Sequence, residues 1–269
     1  MKSFWTKFGA LLICASVMFT ACESDDGNTS GNDSDNNVSE CGDVSDSVKD
    51  FYEDDAVRLA IQVASQQGGF ASSAVEIPDA LINRMSDVLG AVHSSEFAAR
   101  DSVVEVYDVH IYDAYSIDEV VVKISNSDDP ANWGKAWIDG NRFTGDQLVD
   151  GLMLTYDLTV DGILEFDDEA FVTIKSAQPI NVFALVDNFN QIEGVLDATT
   201  NSKSGDGDNI MVTASGEVDA YKVVYEVAFD DCDNGCKQAR LYEFNVNEDC
   251  KVVYINTTGD DAPDPDDRD

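Results

Sequence analysis

Few residue types in this chain can do acid–base, metal or nucleophilic chemistry, and most of those are carboxylates. There are two histidines, His93 and His110. Neither stands in a metal-binding spacing such as HExxH. Each reads as structural: His93 ends a helix, where a cation suits the dipole, and His110 lies in a strand. No GxSxG elbow, SxxK pair, Walker loop or GxGxxG opens a helix, so no nucleophile or phosphate cradle announces itself. Carboxylate pairs such as Asp108 with Asp113, or the run Asp167-Asp168-Glu169, have glycosidase chemistry open to them. With 53 acidic residues in the chain they read first as a solvated acidic face. Trp133 and Trp137 are four apart and share one side of a helix. Exposed, they would make a sugar-stacking platform; buried, they would be core with satisfied indole N–H groups. Asp206 and Asp208, in Gly205-Asp206-Gly207-Asp208-Asn209, put oxygen ligands on alternate residues between glycines, a calcium candidate that also reads as a plain turn.

The composition bounds what these residues can serve. The 269 residues carry 16 Lys and Arg against 53 Asp and Glu, a formal charge of −37. Such a balance argues against nucleic-acid partners and against direct docking on anionic lipid. Hydrophobic content of 43% is that of an ordinary globular protein with a real core.

Residues 1–21 have the three parts of a secretory signal: Lys2 and Lys7, an apolar run over residues 9–19, and the small pair Thr20-Ala21 before Cys22. The apolar run is too short to span a bilayer. Residues 22–47 are acidic and polar and read as a disordered tether. Residues 48–258 form the globular part, and residues 259–269 a disordered acidic tail.

The elements expected within the globular part are helices first and strands afterwards. A helix starts at Val48, with Tyr52, Ala56, Leu59, Ala60 and Val63 at helical spacing, and stops at Gly68-Gly69. A second follows Pro78, with Leu81, Met85, Val88 and Val92 as its stripe. Residues 102–112 and 120–125, rich in Val, Ile and Tyr, read as strands. A short helix carries the tryptophan pair, and Thr144 caps another with Leu148, Leu152 and Tyr156 on one side. Residues 170–175, a helix after Pro179 and residues 195–199 make a strand–helix–strand unit. Strands over 210–215, 220–229, 240–246 and 251–256 complete the chain. The class is α+β: N-terminal helices, then a mostly antiparallel sheet with one strand–helix–strand unit.

Beyond Cys14 and Cys22, four cysteines remain: Cys41, Cys232, Cys236 and Cys250. In an oxidising compartment they imply two disulfides with three possible pairings; a zinc site is the alternative. The spacing suggests one bridge among Cys232, Cys236 and Cys250, with the other tying Cys41 to the core.

Phe19-Thr20-Ala21-Cys22 resembles the lipobox of bacterial lipoproteins, with Phe19 where the family usually has Leu. The resemblance implies a diacylglycerol on Cys22, cleavage before it, and a cell-envelope location, at the outer membrane or cell surface. Cys22-Glu23-Ser24-Asp25-Asp26 is similar to the acidic signal that sends Bacteroidetes lipoproteins to the surface. Asp231-Cys232-Asp233-Asn234-Gly235-Cys236, Phe244 and Asp249-Cys250-Lys251-Val252 resemble the ending of an uncharacterised group of secreted Bacteroidetes-type proteins, which implies a shared fold and compartment. Residues 205–209 resemble one copy of a calcium-loop repeat. Residues 230–235 are similar to an EF-hand start, with Cys232 where an oxygen ligand is needed. Residues 170–199 resemble the end of subtilase propeptide-like inhibitor domains. Together these readings favour a non-catalytic lipoprotein that binds a glycan, a peptide or an envelope protein. The alternatives are an exported carboxylate-dependent hydrolase and a peptidase-inhibitor-like module.

Overall fold

The computed structural model describes Cys41 and residues 44–69, 73–112, 115–127, Asp129, 132–202, 207–230, Cys232 and 236–267. The signal sequence, Cys22 and most of the tether lie outside these residues, as does Asp206. Among the described residues are seven α-helices and two four-stranded antiparallel sheets. The α+β class is therefore as the sequence indicates, with the strands divided between two sheets. No described helix is long and apolar enough to cross a membrane.

The N-terminal helices pack on the C-terminal sheet. Helix α1 (Asp46–Phe51) and α2 (Glu53–Gln67) are separated by a break at Tyr52. Glu53, Asp54 and Asp55 fill the first turn of α2, where negative charge suits the dipole, and Gly68 with φ 66° ends it. Buried residues run from Asp55 to Ile61 and on to Val63 and Ala64, wider than one stripe. A helix wrapped this broadly must be covered on several sides. Helix α3 (Asp79–His93) buries Met85, Val88, Leu89 and Val92 at helical spacing. At Gly90 of this helix the Val44 side chain fills the space that a Cβ would need.

Strands β5 (Asn209–Ala214), β6 (Tyr221–Phe229), β7 (Gln238–Val246) and β8 (Val252–Gly259) form an antiparallel meander in that order. Its inner face carries Val212, Val223, Tyr225, Val227, Phe244 and Val246, which meet Leu59, Val63, Met85 and Leu89 in one core.

The middle of the chain builds the second layer. Strand β1 (Tyr115–Ser125) is followed by α5 (Lys135–Ile138), α6 (Gln147–Thr155), β2 (Thr159–Glu165), β3 (Glu169–Lys175), α7 (Val182–Asn190) and β4 (Val195–Ser202). The strand order is β2-β3-β1-β4. Both β3 and β4 run antiparallel to β1 between them, so they are parallel to each other and α7 bridges them. This is the split β-α-β arrangement of ferredoxin-like domains. Val120, Val122 and Ile124 on β1, and Ala170, Val172 and Ile174 on β3, alternate toward the helices. A third cluster of Val57, Ile61 and Ile117 joins α2 to β1 between the two larger cores.

Four local expectations change. Residues 102–112 are not a strand. Helix α4 (Ala98–Asp101) continues as a π-turn over Ser102–Val106, burying the neighbours Val103 and Val104 together, which a pleated strand would send to opposite faces. Asp146, not Thr144, caps α6 by accepting from the Leu148 and Val149 amides. Val149 and Met153 are the buried positions of α6, and Leu148 is 63% exposed. Strand β2 has no counterpart in the expected elements. The stretch read as a disordered tail begins anchored: the Tyr107 hydroxyl donates to the Pro263 carbonyl at 3.1 Å, and Arg240 pairs with Asp261 at 2.5 Å.

Candidate functional site

The four cysteines pair as Cys41–Cys250 and Cys232–Cys236. One bridge thus closes a local loop, and the other fastens residue 41 to the β7–β8 turn. That agrees with the division expected from the spacing and leaves no zinc ligand set on these thiols.

The tryptophan pair is not an exposed platform. Trp137 is fully buried, and its indole donates to the Arg142 carbonyl at 3.1 Å. Trp133 is half-buried and donates to the Glu193 carbonyl at 2.8 Å. The rings meet edge-on at 5.2 Å. Gly194, with φ 97°, lies under the Trp133 indole where a side chain would collide. Apolar burial with satisfied N–H groups is what places them in the core.

Asp208 is described and Asp206 is not. The Ala228 amide donates to the Asp208 carboxylate at 2.9 Å, which fastens this loop to the end of β6. Burial, with the charge of Asp208 added, raises the Glu226 carboxyl above the usual range. Among the described residues no group of three or more His, Cys, Asp or Glu side chains comes together as a metal cage. The run Asp167-Asp168-Glu169 sits at the β2–β3 turn, where Glu169 pairs with Lys123 at 2.7 Å. Of the EF-hand-like residues 230–235, Asp230 and Cys232 are described.

The polar chemistry gathers where α2 meets the start of β1. Two adjoining hollows of about 430 Å³ each share Asp54 and Arg58 in their walls. Arg58 is 5% exposed and pairs with Asp54, one turn earlier on α2, at 3.8 Å.

In the first hollow, Glu119 of β1 is held from both sides. Lys175 at the end of β3 donates to one carboxylate oxygen at 2.8 Å, and Asn201 of β4 to the other at 2.8 Å. The Glu119 hydrogen bond, aided by the charge of Asp118, raises the Lys175 ammonium above its ordinary range. Ser116 donates to Asp118 at 2.6 Å. Tyr115 leans edge-on against Phe183 at 4.9 Å, and burial pushes its hydroxyl up, keeping it a neutral donor. Neighbouring strands with fixed register, with α2 and the connection after β3, therefore set acids, amides, an arginine and an aromatic ring around one space, and Lys175 pairs with one of those acids.

In the second hollow the buried Asp55 carboxylate binds His110 Nδ1 at 2.5 Å and accepts the Ile111 amide at 2.8 Å. That hydrogen bond raises the His110 pKa against the opposing effect of burial. His110 Nε2 lies 3.8 Å from Asp108, whose backbone is left-handed at φ 50°. The described lining residues are acids, Arg58, Phe51, His110 and Ile111, and supply no hydroxyl or thiol nucleophile. His110 therefore sits in a loop beside a buried acid, not in a strand, and spacing along the chain gave no sign of that pairing. At the end of α3, Arg100 as well as His93 brings a basic group to the helix end. Burial and nearby Arg100 lower the His93 pKa, and Arg100 itself donates to the His93 carbonyl at 2.5 Å.

No protein family, curated protein or solved structure matches this chain.

Proposed function

We propose that the chain is a lipid-anchored envelope protein whose head is a binding module, with its ligand seat in the hollow at the start of β1. Glu119 carries this reading. Both of its oxygens are engaged by Lys175 and Asn201 before any ligand arrives. A pre-set array of donors and acceptors beside the Tyr115 ring suits a hydroxyl-rich ligand, of which a glycan is the natural class on an exported protein. Two disulfides support an oxidising compartment, and the lipobox-like residues at Cys22 support the anchor.

A glycan array is the direct test. The wild type should be retained on at least one polysaccharide, and Glu119→Gln and Tyr115→Ala should lose retention with an unchanged circular dichroism spectrum. Retention unaffected by both variants would remove the hollow as the seat. Turnover of a glycan that disappears in Glu119→Gln would favour the hydrolase reading instead. Labelling with a radioactive fatty acid that persists in Cys22→Ser would remove the anchor.

The loop of Asp206 and Asp208 belongs to the same proposal as a weak calcium site. Glu226 beside Asp208 bears the cost of a neighbouring negative charge, which a bound cation would relieve.

A further inference from the structure

We propose that the Cys41–Cys250 bridge is an exchangeable disulfide, opened by an external dithiol, with Arg84 stabilising the leaving Cys250 thiolate. Arg84 of α3 places one guanidinium nitrogen 2.8 Å from the Cys41 sulfur and 3.2 Å from that of Cys250. Its other terminal nitrogen donates to the carbonyls of Asn247, at 2.8 Å, and Asp219. The guanidinium also lies 5.7 Å from the centre of the Tyr221 ring. These backbone and ring partners do not depend on the sulfurs, so the cation stays in place when the S–S bond breaks.

Cys250 is as firmly placed as the arginine, since its amide donates to the Asn247 carbonyl at 3.0 Å. Cys41 and Cys250 both line a hollow of about 500 Å³, walled further by Val44, Gly90, Ser94 and Phe97, and both cysteines are only half-buried. A nucleophile therefore has a route.

The exchange balances as follows. A thiolate of the dithiol bonds to the Cys41 sulfur as the Cys41–Cys250 bond breaks, and the bonding pair leaves on Cys250. The second thiolate of the dithiol then attacks its partner sulfur in the mixed disulfide and expels Cys41 as thiolate. Two electrons pass from the dithiol, which departs as a disulfide, to the protein. A cation beside the leaving sulfur lowers its basicity and speeds the first step. The product frees residue 41, at the end of the acidic N-terminal segment, from the β7–β8 turn.

Cys232–Cys236 is the internal control. It sits at the far end of the nine-residue strands β6 and β7, roughly 30 Å from the Arg84 end. The folded protein would be treated with dithiothreitol, quenched with iodoacetamide, and the rate of each bridge read by peptide mass. We expect Cys41–Cys250 to open in the folded protein, and Arg84→Gln to slow it roughly tenfold with Cys232–Cys236 unchanged. Arg84→Gln could loosen the fold, so a second reading uses Cys41→Ser. In that variant the Cys250 thiol should titrate below the ordinary value of about 8.5, followed by its alkylation rate against pH. A bridge that opens only on global unfolding, equal rates in wild type and Arg84→Gln, or a Cys250 thiol at or above the ordinary value would each overturn the proposal.

Discussion

Asp55 grips His110 with one carboxylate oxygen at 2.5 Å and the Ile111 amide with the other at 2.8 Å, tying the loop before β1 to the first turn of α2. The bond raises the folded-state pKa of His110 above its ordinary 6.5. A raised histidine stabilises the fold fully below its unfolded pKa, and that contribution is lost as pH rises through the folded value. Wild type should therefore exceed His110→Gln in melting temperature by more at pH 5.5 than at pH 8.5. A gap that is constant, or that widens toward pH 8.5, would show that the pair does not carry the charge assigned to it.

The tryptophan pair makes a prediction of stability. Trp137→Ala removes the largest fully buried side chain and should cost about 3–5 kcal/mol in urea unfolding. Trp133→Phe keeps most of the ring contact and loses the donor to Glu193, so about 1 kcal/mol should be lost. Neither variant that stays folded should change retention on a polysaccharide. Loss of retention in folded Trp133→Phe would return the platform to consideration.

What the sequence made legible follows from how local each signal is. The two long helices, β1, β3 and the C-terminal meander carry their periodicity within one element, and the expected strands over 220–229 and 240–246 match β6 and β7 closely. Strand β2 was hidden because it is a sheet edge, with Asp161, Gly162 and Glu165 breaking its alternation. Residues 102–106 misled through their valines, whose β propensity yields to packing on the helical core. The site was the least legible part. Asp55 and His110 are 55 residues apart, and Glu119 meets an asparagine 82 residues away. Such pairs are set by sheet register and layer packing, which no window along the chain contains.

Calcium gives a third prediction. The wild-type melting temperature should rise in millimolar calcium, and Asp206→Asn with Asp208→Asn should remove that rise. Asp208→Asn alone should keep the hydrogen bond from the Ala228 amide through its amide oxygen, so its melt without calcium should differ little from wild type. A calcium-independent wild-type melt would reduce the loop to a fastening for β6.

The small cluster of Val57, Ile61 and Ile117 predicts how the two layers unfold. Ile61 of α2 and Ile117 of β1 are 2% and 9% exposed, and they sit between the core under the meander and the core under β1–β4. Each large core has its own sheet and its own helices, so cooperativity between them depends on this junction and on a few backbone bonds, among them Asn181 N–H to the carbonyl of Val75, in the connection between α2 and α3, at 2.8 Å. Trimming either isoleucine to alanine should cost about 2–5 kcal/mol. Trimming both should also uncouple the layers. Trp133 and Trp137 both lie in the layer of β1–β4, so in a Trp5→Phe background tryptophan fluorescence follows that layer while circular dichroism follows both. In the parent the two probes should trace one urea transition. In Ile61→Ala/Ile117→Ala they should separate, or the apparent slope should fall as a partly folded form becomes populated. Coincident transitions with the parent slope would mean that the layers are joined by contacts other than this cluster.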